Sequence, residues 1–194
     1  LYQDNIGIFW IGTYNHGICF IDERIEKFEV HQRNPFDKKT LVNNNVVGFS
    51  EDSQGNLWIA TDGGGISSFD THTRMFTNKI QNSGISSKAV MDVLCDSKER
   101  IWVASWGGGI DLFDNSGKRI RNYQLEAFNR PGNIFCLMED NNGNIWAGTG
   151  RNGLLVYEPE NDRFKKIVDT TSKTQLTSDA FVMALYQDSE NTLW

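Results

Sequence analysis

The stretch DSQGNLWIATDGGG at residues 52–65 recurs along the chain at a nearly constant interval. Its copies are DNIGIFWIGTYNHG at 4–17, DSKERIWVASWGGG at 96–109 and DNNGNIWAGTGRNG at 140–153. The tryptophans in this register stand 48, 44, 44 and 48 residues apart, at Trp10, Trp58, Trp102, Trp146 and Trp194. Self-similarity with this period indicates a repeat array whose connecting loops vary in length.

Other positions of the repeat keep step with the tryptophans. An aspartate precedes each one by six residues, at Asp4, Asp52, Asp96, Asp140 and Asp188. A glycine follows the first four by seven residues, at Gly17, Gly65, Gly109 and Gly153. A carboxylate just before a turn accepts backbone N–H groups of that turn, so we expect the aspartates to cap hairpins.

Each unit has the pattern of four short strands separated by turns. In the second unit the strand-like segments are VVGFSED (46–52), LWIAT (57–61), ISSFD (66–70) and MFTNKI (75–80). The turns between them are rich in Gly, Asn, Ser and Thr, as hairpin turns are. Four strands every 44 to 48 residues, with no helical periodicity, predict an all-β fold, namely a β-propeller of about four four-stranded antiparallel blades.

The repeat positions divide the chain into units and assign a role to the tryptophans. The predicted blade units are approximately 1–42, 43–86, 87–130 and 131–178, with a partial unit at 179–194. The tryptophan lies in the second strand of each unit, where we expect it to be buried between neighbouring blades. Because LYQDNIGIFW (1–10) is nearly repeated by LYQDSENTLW (185–194), we expect the span to be part of a larger ring.

Composition excludes several classes of function. Lys and Arg total 19 against 25 Asp and Glu, a net charge of -6, which argues against nucleic acid as a partner. The three cysteines form no CxxC pair, and the histidines His16, His31 and His72 are scattered, so we predict neither a disulfide, a metal site nor a cofactor. No apolar run is long enough for a membrane segment in this span.

The motif D-x-x-G-N-[LI]-W-[IA]-[AG]-T-x-x-G-G resembles the two-component regulator propeller repeat across essentially the whole chain. Two units depart from the motif, with Glu99 in place of the turn glycine and Ile8 in place of the usual asparagine. The resemblance implies the extracytoplasmic sensor region of a hybrid histidine kinase, commonly built from paired seven-bladed propellers. It therefore implies a periplasmic location, oligosaccharide sensing, and kinase activity only in the parent protein outside this span.

Partners follow from the resemblance and from the expected open edges of the blades. We expect the remaining blades, or a second propeller of the parent chain, to cover these edges, with a homodimer as an alternative. The ligand implied by the resemblance is an oligosaccharide or another small molecule.

The turns between the second and third strands differ while the scaffold around them is constant, which makes them candidates for recognition. Trp106 stands outside the tryptophan register and is a candidate platform for a sugar ring. We add Tyr14, His16, Asp62 and Arg151 from the corresponding turns as candidate ligand-binding residues. The connections His31 to Asn44 and Arg130 to Asn133 are expected to rim the same face. The alternative is that Trp106 packs on the neighbouring loop and the others are solvated.

The leading hypothesis is a binding and signalling module with no catalytic residues in this span. One alternative is a glycoside hydrolase or lyase, since the turn motif is loosely similar to the Asp-box of sialidases. The Ser or Thr that an Asp-box places two residues before the aspartate is matched only by Ser50 among the five units. A protein-interaction propeller is a further alternative.

Overall fold

The structure is a computed structural model that describes residues 1–22, 25–80, 84–124, 132–167 and 180–194, with only the backbone at 22 and 25–28. Blade one contains β1 (Tyr2–Gln3), β2 (Phe9–Thr13), β3 (Gly17–Asp22) and β4 (Ile25–His31). Blade two contains β5 (Val46–Glu51), β6 (Asn56–Thr61), β7 (Gly65–Asp70) and β8 (Met75–Phe76). Blade three contains β9 (Val90–Cys95), β10 (Ile101–Ser105), β11 (Gly109–Phe113) and β12 (Arg119–Tyr123). Blade four contains β13 (Ile134–Glu139), β14 (Ile145–Thr149), β15 (Leu154–Glu158) and β16 (Arg163–Lys166).

Each blade is a four-stranded antiparallel sheet in which the strands lie side by side in chain order. No helix occurs among the described residues, and none of them forms an apolar helix of the length needed to cross a bilayer. The predicted all-β fold with four strands per unit is confirmed. The fourth strand of blade two is shorter than predicted, because Thr77 and Asn78 both donate their backbone N–H to Ser68 O and Asn78 turns the chain with a φ of 44°.

In blades two to four the first strands of successive blades contact one another, so they lie on the inner side of the array. Side-chain oxygens of one first strand accept backbone N–H groups from the first strand of the next blade. Cys95 N donates to Ser50 Oγ at 2.7 Å between blades two and three. Leu137 N donates to Asp92 Oδ2 at 2.8 Å between blades three and four. These bonds fix the first strands against one another although each belongs to a different sheet.

The core consists of three apolar clusters, each between two neighbouring sheets. Between blades three and four, the Trp102 ring packs edge-on against Tyr157 at 5.0 Å and against Phe164 at 5.8 Å. Between blades one and two, Trp10 packs in the same manner on Phe69 at 5.4 Å. The indoles therefore hold adjacent blades together, as their place in the repeat predicts.

The tryptophans differ in how deeply they are buried. Trp10, Trp58 and Trp102 are almost completely buried. Burial of each indole stabilises the fold by at most about 4–6 kcal/mol. Trp146 is only half-buried, and Trp194 is 73% exposed. The expectation of a buried indole is therefore wrong for Trp194. Within the part of the chain that the structure describes, no sheet packs over this indole.

The repeated aspartate does more than cap a turn. Asp52 Oδ1 accepts the backbone N–H of Gln54 at 3.0 Å and of Asn56 at 2.8 Å. Its other oxygen, Oδ2, accepts the indole N–H of Trp58 at 3.0 Å. The indole bond recurs at 2.7–2.9 Å in the other four units, on Asp4, Asp96, Asp140 and Asp188. We call this arrangement the Asp–Trp clamp. It explains the fixed spacing of six residues, which the sequence analysis attributed to the turn alone.

The unit that departs from the motif in blade three keeps the clamp with different chemistry. Where blades two and four have Asn56 and Asn144 donating carboxamide N–H groups to the aspartate, blade three has Arg100. Its guanidinium binds Asp96 Oδ2 through both Nε and a terminal nitrogen at 2.7 Å. The preceding Glu99 takes the turn position of glycine with a φ of 59°, a conformation that L-residues disfavour.

In blades one and three, the glycine that opens the third strand meets two requirements at once. Gly17 and Gly109 have φ of 85° and 72°, in the left-handed region. A Cβ on Gly109 would lie 2.3 Å from Tyr123 O, and one on Gly17 would lie 2.4 Å from His31 O. Glycine is therefore needed here both for its φ and for the close approach of the fourth strand.

Candidate functional site

The turns between second and third strands lie against the segments that lead into the first strands. Trp106 N donates to Ala89 O at 2.8 Å, and Asp62 N donates to Asn45 O at 2.9 Å. These bonds place the turns and the long connections on one face of the array, as predicted. Gly132 and Asn133 of the second predicted rim segment lie on this face, whereas Arg130 and Pro131 lie outside the described residues.

Two asparagines connect neighbouring turns across this face. Asn133 Oδ1 accepts the N–H of Gly107 from blade three at 3.0 Å, while its backbone O accepts the N–H of Gly150 from blade four at 2.9 Å. Asn45 makes the same pair of bonds between the turns of blades one and two. This role of the asparagines was not predicted from the sequence. Its only signal is an asparagine seven residues before the aspartate in units two and four.

A cleft of about 420 Å³ opens on this face between blades three and four. We call it the Trp106 cleft. It is lined by Trp106, Gly107, Asn133, Gly150, Arg151, Asn152 and Phe181. Trp106 is 51% exposed and Phe181 is 58% exposed, so much of both rings faces solvent. The volume falls in the usual range for small-molecule sites.

The aromatic rings of this cleft support one another. The Trp106 ring stands edge-on to Phe135 with centroids 5.7 Å apart and an interplanar angle of 79°. Phe135 in turn lies 6.5 Å from Phe181. Trp106 thus packs on its neighbour, as the alternative interpretation held, and still keeps half of its surface exposed. Such rings offer flat apolar faces on which the C–H face of a sugar ring can stack.

Arg151 supplies the charge of the Trp106 cleft. Its guanidinium carbon lies 5.8 Å from the Phe181 ring centroid, and among the described residues it has no carboxylate partner. Its φ of 77° is left-handed, at a turn position where blades two and three have Gly63 and Gly107. An arginine in this conformation costs on the order of 1 kcal/mol relative to glycine.

The other candidate residues do not line this cleft. Tyr14 is exposed on the turn of blade one, and His16 Nδ1 lies 3.1 Å from Tyr14 O. Asp62 is half-buried in the turn of blade two, where it pairs with Ala89. The structure thus brings Trp106 and Arg151 together and leaves Tyr14, His16 and Asp62 apart from them.

Phe135 and Phe181 are the cleft residues that sequence analysis missed. Phe135 lies in β13 and has the appearance of an ordinary apolar strand residue. Phe181 occupies the repeat position of Asn45 and Asn133, seven residues before the aspartate of its unit. A phenylalanine at a position that carries asparagine in two other units is the one signal that could have found it.

Comparisons with known proteins agree with the repeat and the fold. Residues 40–63 and 130–151 match the family model described as Two component regulator propeller. The extracellular domain of a putative hybrid two component system from B. thetaiotaomicron has a TM-score of 0.75 at 23% identity, covering all of this chain and 31% of its own. A second such domain has a TM-score of 0.74 at 22% identity, with 27% of its length covered. Virginiamycin B lyase from Staphylococcus aureus has a TM-score of 0.74 at 16% identity, with 100% of this chain and 60% of its own covered.

These likenesses establish the fold. No curated protein sequence matches the chain. The chain spans about a third or less of the length of the two extracellular domains that it resembles. Its four described sheets are blades of a β-propeller, and two stretches that carry its tryptophan motif are similar to the Two component regulator propeller model.

Proposed function

We propose that this chain is a ligand-binding part of the sensor region of a hybrid two-component system. In this proposal it lies on the periplasmic side of the membrane, detects an oligosaccharide, and signals to a histidine kinase outside this span. The family match supports the proposal, as does the likeness to extracellular domains of putative hybrid two component systems.

The observation that carries the proposal is the composition of the Trp106 cleft. It combines two exposed aromatic faces with an arginine that has no carboxylate partner in the described part of the chain, and with the carboxamides of Asn133 and Asn152. Aromatic faces stack on the apolar side of a sugar ring, and amide and guanidinium N–H groups bind its hydroxyl oxygens. A saccharide therefore fits the cleft better than a purely apolar molecule does.

Further partners belong to the same proposal. Met183, Tyr186 and Trp194 in the last described segment are all more than half exposed, although Trp194 makes the same clamp as the buried indoles. We propose that a further blade or a second propeller of the parent chain covers this apolar surface, with a homodimer as the alternative. Small-angle scattering at several concentrations separates the two, because only the dimer depends on concentration.

A polysaccharide-degrading enzyme is the second candidate function, since a lyase shares the fold. A hydrolase needs a pair of carboxyl groups about 5–10 Å apart at the bond that breaks. Among the described residues, the lining of the Trp106 cleft includes no Asp, Glu or His. The cleft therefore gives the enzyme no support of its own, and the binding function remains the proposal.

A panel of neutral and acidic oligosaccharides, titrated calorimetrically into the purified protein, tests the proposal. We expect one class to bind and Trp106→Ala to weaken that binding about tenfold, because a stacked aromatic contributes about 0.5–1.5 kcal/mol beyond its buried area. Met75→Ala is the matched control, since Met75 is an exposed apolar residue on β8, away from the cleft.

Two results would overturn the binding proposal. One is equal affinity of the Trp106→Ala and Met75→Ala variants with both folded, and the other is no binding of any member of the panel. New reducing ends that appear on incubation with the parent polysaccharides would identify an enzyme instead.

A further inference from the structure

A second cleft on the same face has a volume of about 570 Å³. It lies between the connection of blades one and two, the glycine turn Gly63–Gly65 and the segment that ends at Lys88. We call it the Arg33 cleft. It shares no lining residue with the Trp106 cleft, although Ala89, next to Lys88, accepts the backbone N–H of Trp106.

The charge of the Arg33 cleft is opposite in sign to that of the whole chain. Arg33, Lys38 and Lys88 line it, and none of them forms an ion pair within the described residues. Asp37 is the single acidic residue in the described lining, and its Oδ1 accepts the backbone N–H of Lys39 at 2.8 Å. Three cations against one carboxylate make a local excess of positive charge in a chain of net charge -6.

Two carboxamides of the lining are arranged as donors. Asn34 Oδ1 accepts the N–H of Phe36 at 3.0 Å, and Asn43 Oδ1 accepts the N–H of Asn45 at 2.9 Å. The oxygens of both side chains are thus occupied, while neither NH₂ group has an acceptor among the described residues. The two amides therefore offer N–H donors to a ligand. Together with the cations, these donors favour a ligand group that has several acceptor oxygens.

The loop that carries Arg33 and Lys38 is held in place by hydrogen bonds. Arg33 N donates to Asn44 Oδ1 at 2.7 Å. The Asn78 carboxamide donates to Lys38 O and to Thr40 O, both at 2.9 Å. The backbone that carries these cations is therefore ordered before any ligand arrives, which lowers the entropic cost of binding.

We propose that the Arg33 cleft binds an oxyanion, that is, a sulfate, phosphate or carboxylate group carried by a ligand. Such a group supplies several acceptor oxygens and a negative charge, which match the three cations and the two amide donors. The site does not depend on the proposed sensing of an oligosaccharide at the Trp106 cleft, because the two clefts have separate linings.

NMR titration of the purified protein with inorganic sulfate, inorganic phosphate and acetate tests the proposal, with sodium chloride at equal ionic strength as the reference. We expect at least one of the anions to bind more tightly than chloride and more weakly as salt is raised. The anion that binds best identifies the source: a sulfate ester, a phosphorylated ligand or a carboxylated one.

Charge-neutralising variants locate the site. Arg33→Gln and Lys88→Gln should each weaken the binding about two- to fivefold, as expected for single exposed charges, and the double variant should weaken it about tenfold. The Lys88 change leaves the backbone O that accepts from Gly63 and Gly65 in place. Lys98→Gln is the matched control, since Lys98 is exposed on a turn of blade three outside the cleft.

Thermal unfolding confirms that the variants are folded. The proposal is overturned if no oxyanion binds more tightly than chloride. It is equally overturned if Lys98→Gln weakens binding as much as the two cleft variants do, because the attraction would then come from surface charge in general.

Discussion

Replacing the aspartate of one buried clamp by alanine tests whether the Asp–Trp clamp holds the blades together. In Asp52→Ala, the indole N–H of Trp58 and the carboxamide of Asn56 lose their acceptor. Both residues are buried, with Trp58 fully enclosed, so water cannot replace the carboxylate. The turn also loses the oxygen that accepts the backbone N–H groups of Gln54 and Asn56.

The expected loss follows from the number of buried donors. Each buried donor left without an acceptor costs about 1–3 kcal/mol, so the two side-chain donors together cost roughly 4 kcal/mol. This is a large share of the 5–15 kcal/mol that stabilises a typical folded domain. With a urea dependence of about 2–3 kcal/mol per M, the unfolding midpoint should fall by about 1.5 M.

The last clamp of the chain, Asp188 with Trp194, provides a control in which the same hydrogen bonds are exposed to solvent. Asp188 accepts the N–H groups of Glu190 and Thr192 and the indole N–H of Trp194, at 2.7–2.9 Å. Because Trp194 is 73% exposed, its indole can bind water when the carboxylate is removed. We therefore expect Asp188→Ala to leave the urea midpoint unchanged, as followed by circular dichroism and by tryptophan fluorescence.

Comparing Asp52→Ala with Asp188→Ala tests whether burial of the donors makes the clamp stabilising. An Asp52→Ala midpoint within a few tenths of a molar unit of the unsubstituted protein would refute the reasoning. So would equal losses in Asp52→Ala and Asp188→Ala, because burial of the donors would then not be the cause.

Two further predictions concern single residues. Burial raises the pKa of Asp92 to about 6 from 3.8, so the folded state keeps this proton to higher pH than the unfolded chain does. The protonated carboxyl therefore stabilises the fold by about 2–3 kcal/mol below pH 4, and this stabilisation is lost as the pH rises through 6. In urea titrations from pH 4 to 7, Asp92→Asn should reduce the pH dependence of the free energy of unfolding. The same pH dependence in the variant and the unsubstituted protein would contradict this prediction. Glu99→Gly should raise the free energy of unfolding by about 1 kcal/mol, because Glu99 has left-handed φ and its buried Oε2 has no hydrogen-bond partner among the described residues. A lower urea midpoint would show that the glutamate stabilises the turn instead.

The fold could be predicted because its determinants repeat at fixed spacing within one unit. Trp58, its aspartate six residues earlier and its glycine seven residues later are all local to one sheet, so periodicity shows them. The role of the aspartate was only half predicted. An aspartate before a turn is expected from the sequence alone, because its carboxylate caps the turn. Its hydrogen bond to the indole depends on the hairpin, which brings two residues six positions apart together across two strands.

The candidate site was less predictable because its residues come from three units. Trp106 was found since it breaks the register, and Arg151 since its turn differs from the others. Phe135 has no such signal, because a phenylalanine in a first strand has the appearance of a core residue, and the signal of Phe181 is limited to its replacement of an asparagine. Only the packing of blade four beside blade three, and of the last segment beside blade four, brings these rings together.

The two ends of each blade have separate tasks, and this separation explains why the repeat is strict in one place and variable in another. Successive turns of an antiparallel sheet lie at opposite ends of its strands. The clamp aspartates therefore lie at one end, where an identical hairpin suits every blade, while the turns of Trp106 and Arg151 lie at the other end. A change at the clamp weakens the scaffold without touching a ligand contact, whereas a change at the opposite turns alters the clefts and leaves the indoles in place. The clefts can thus vary from blade to blade because, among the described residues, no hydrogen bond or ion pair between the sheets involves the side chains of Trp106, Arg33, Lys38 or Lys88.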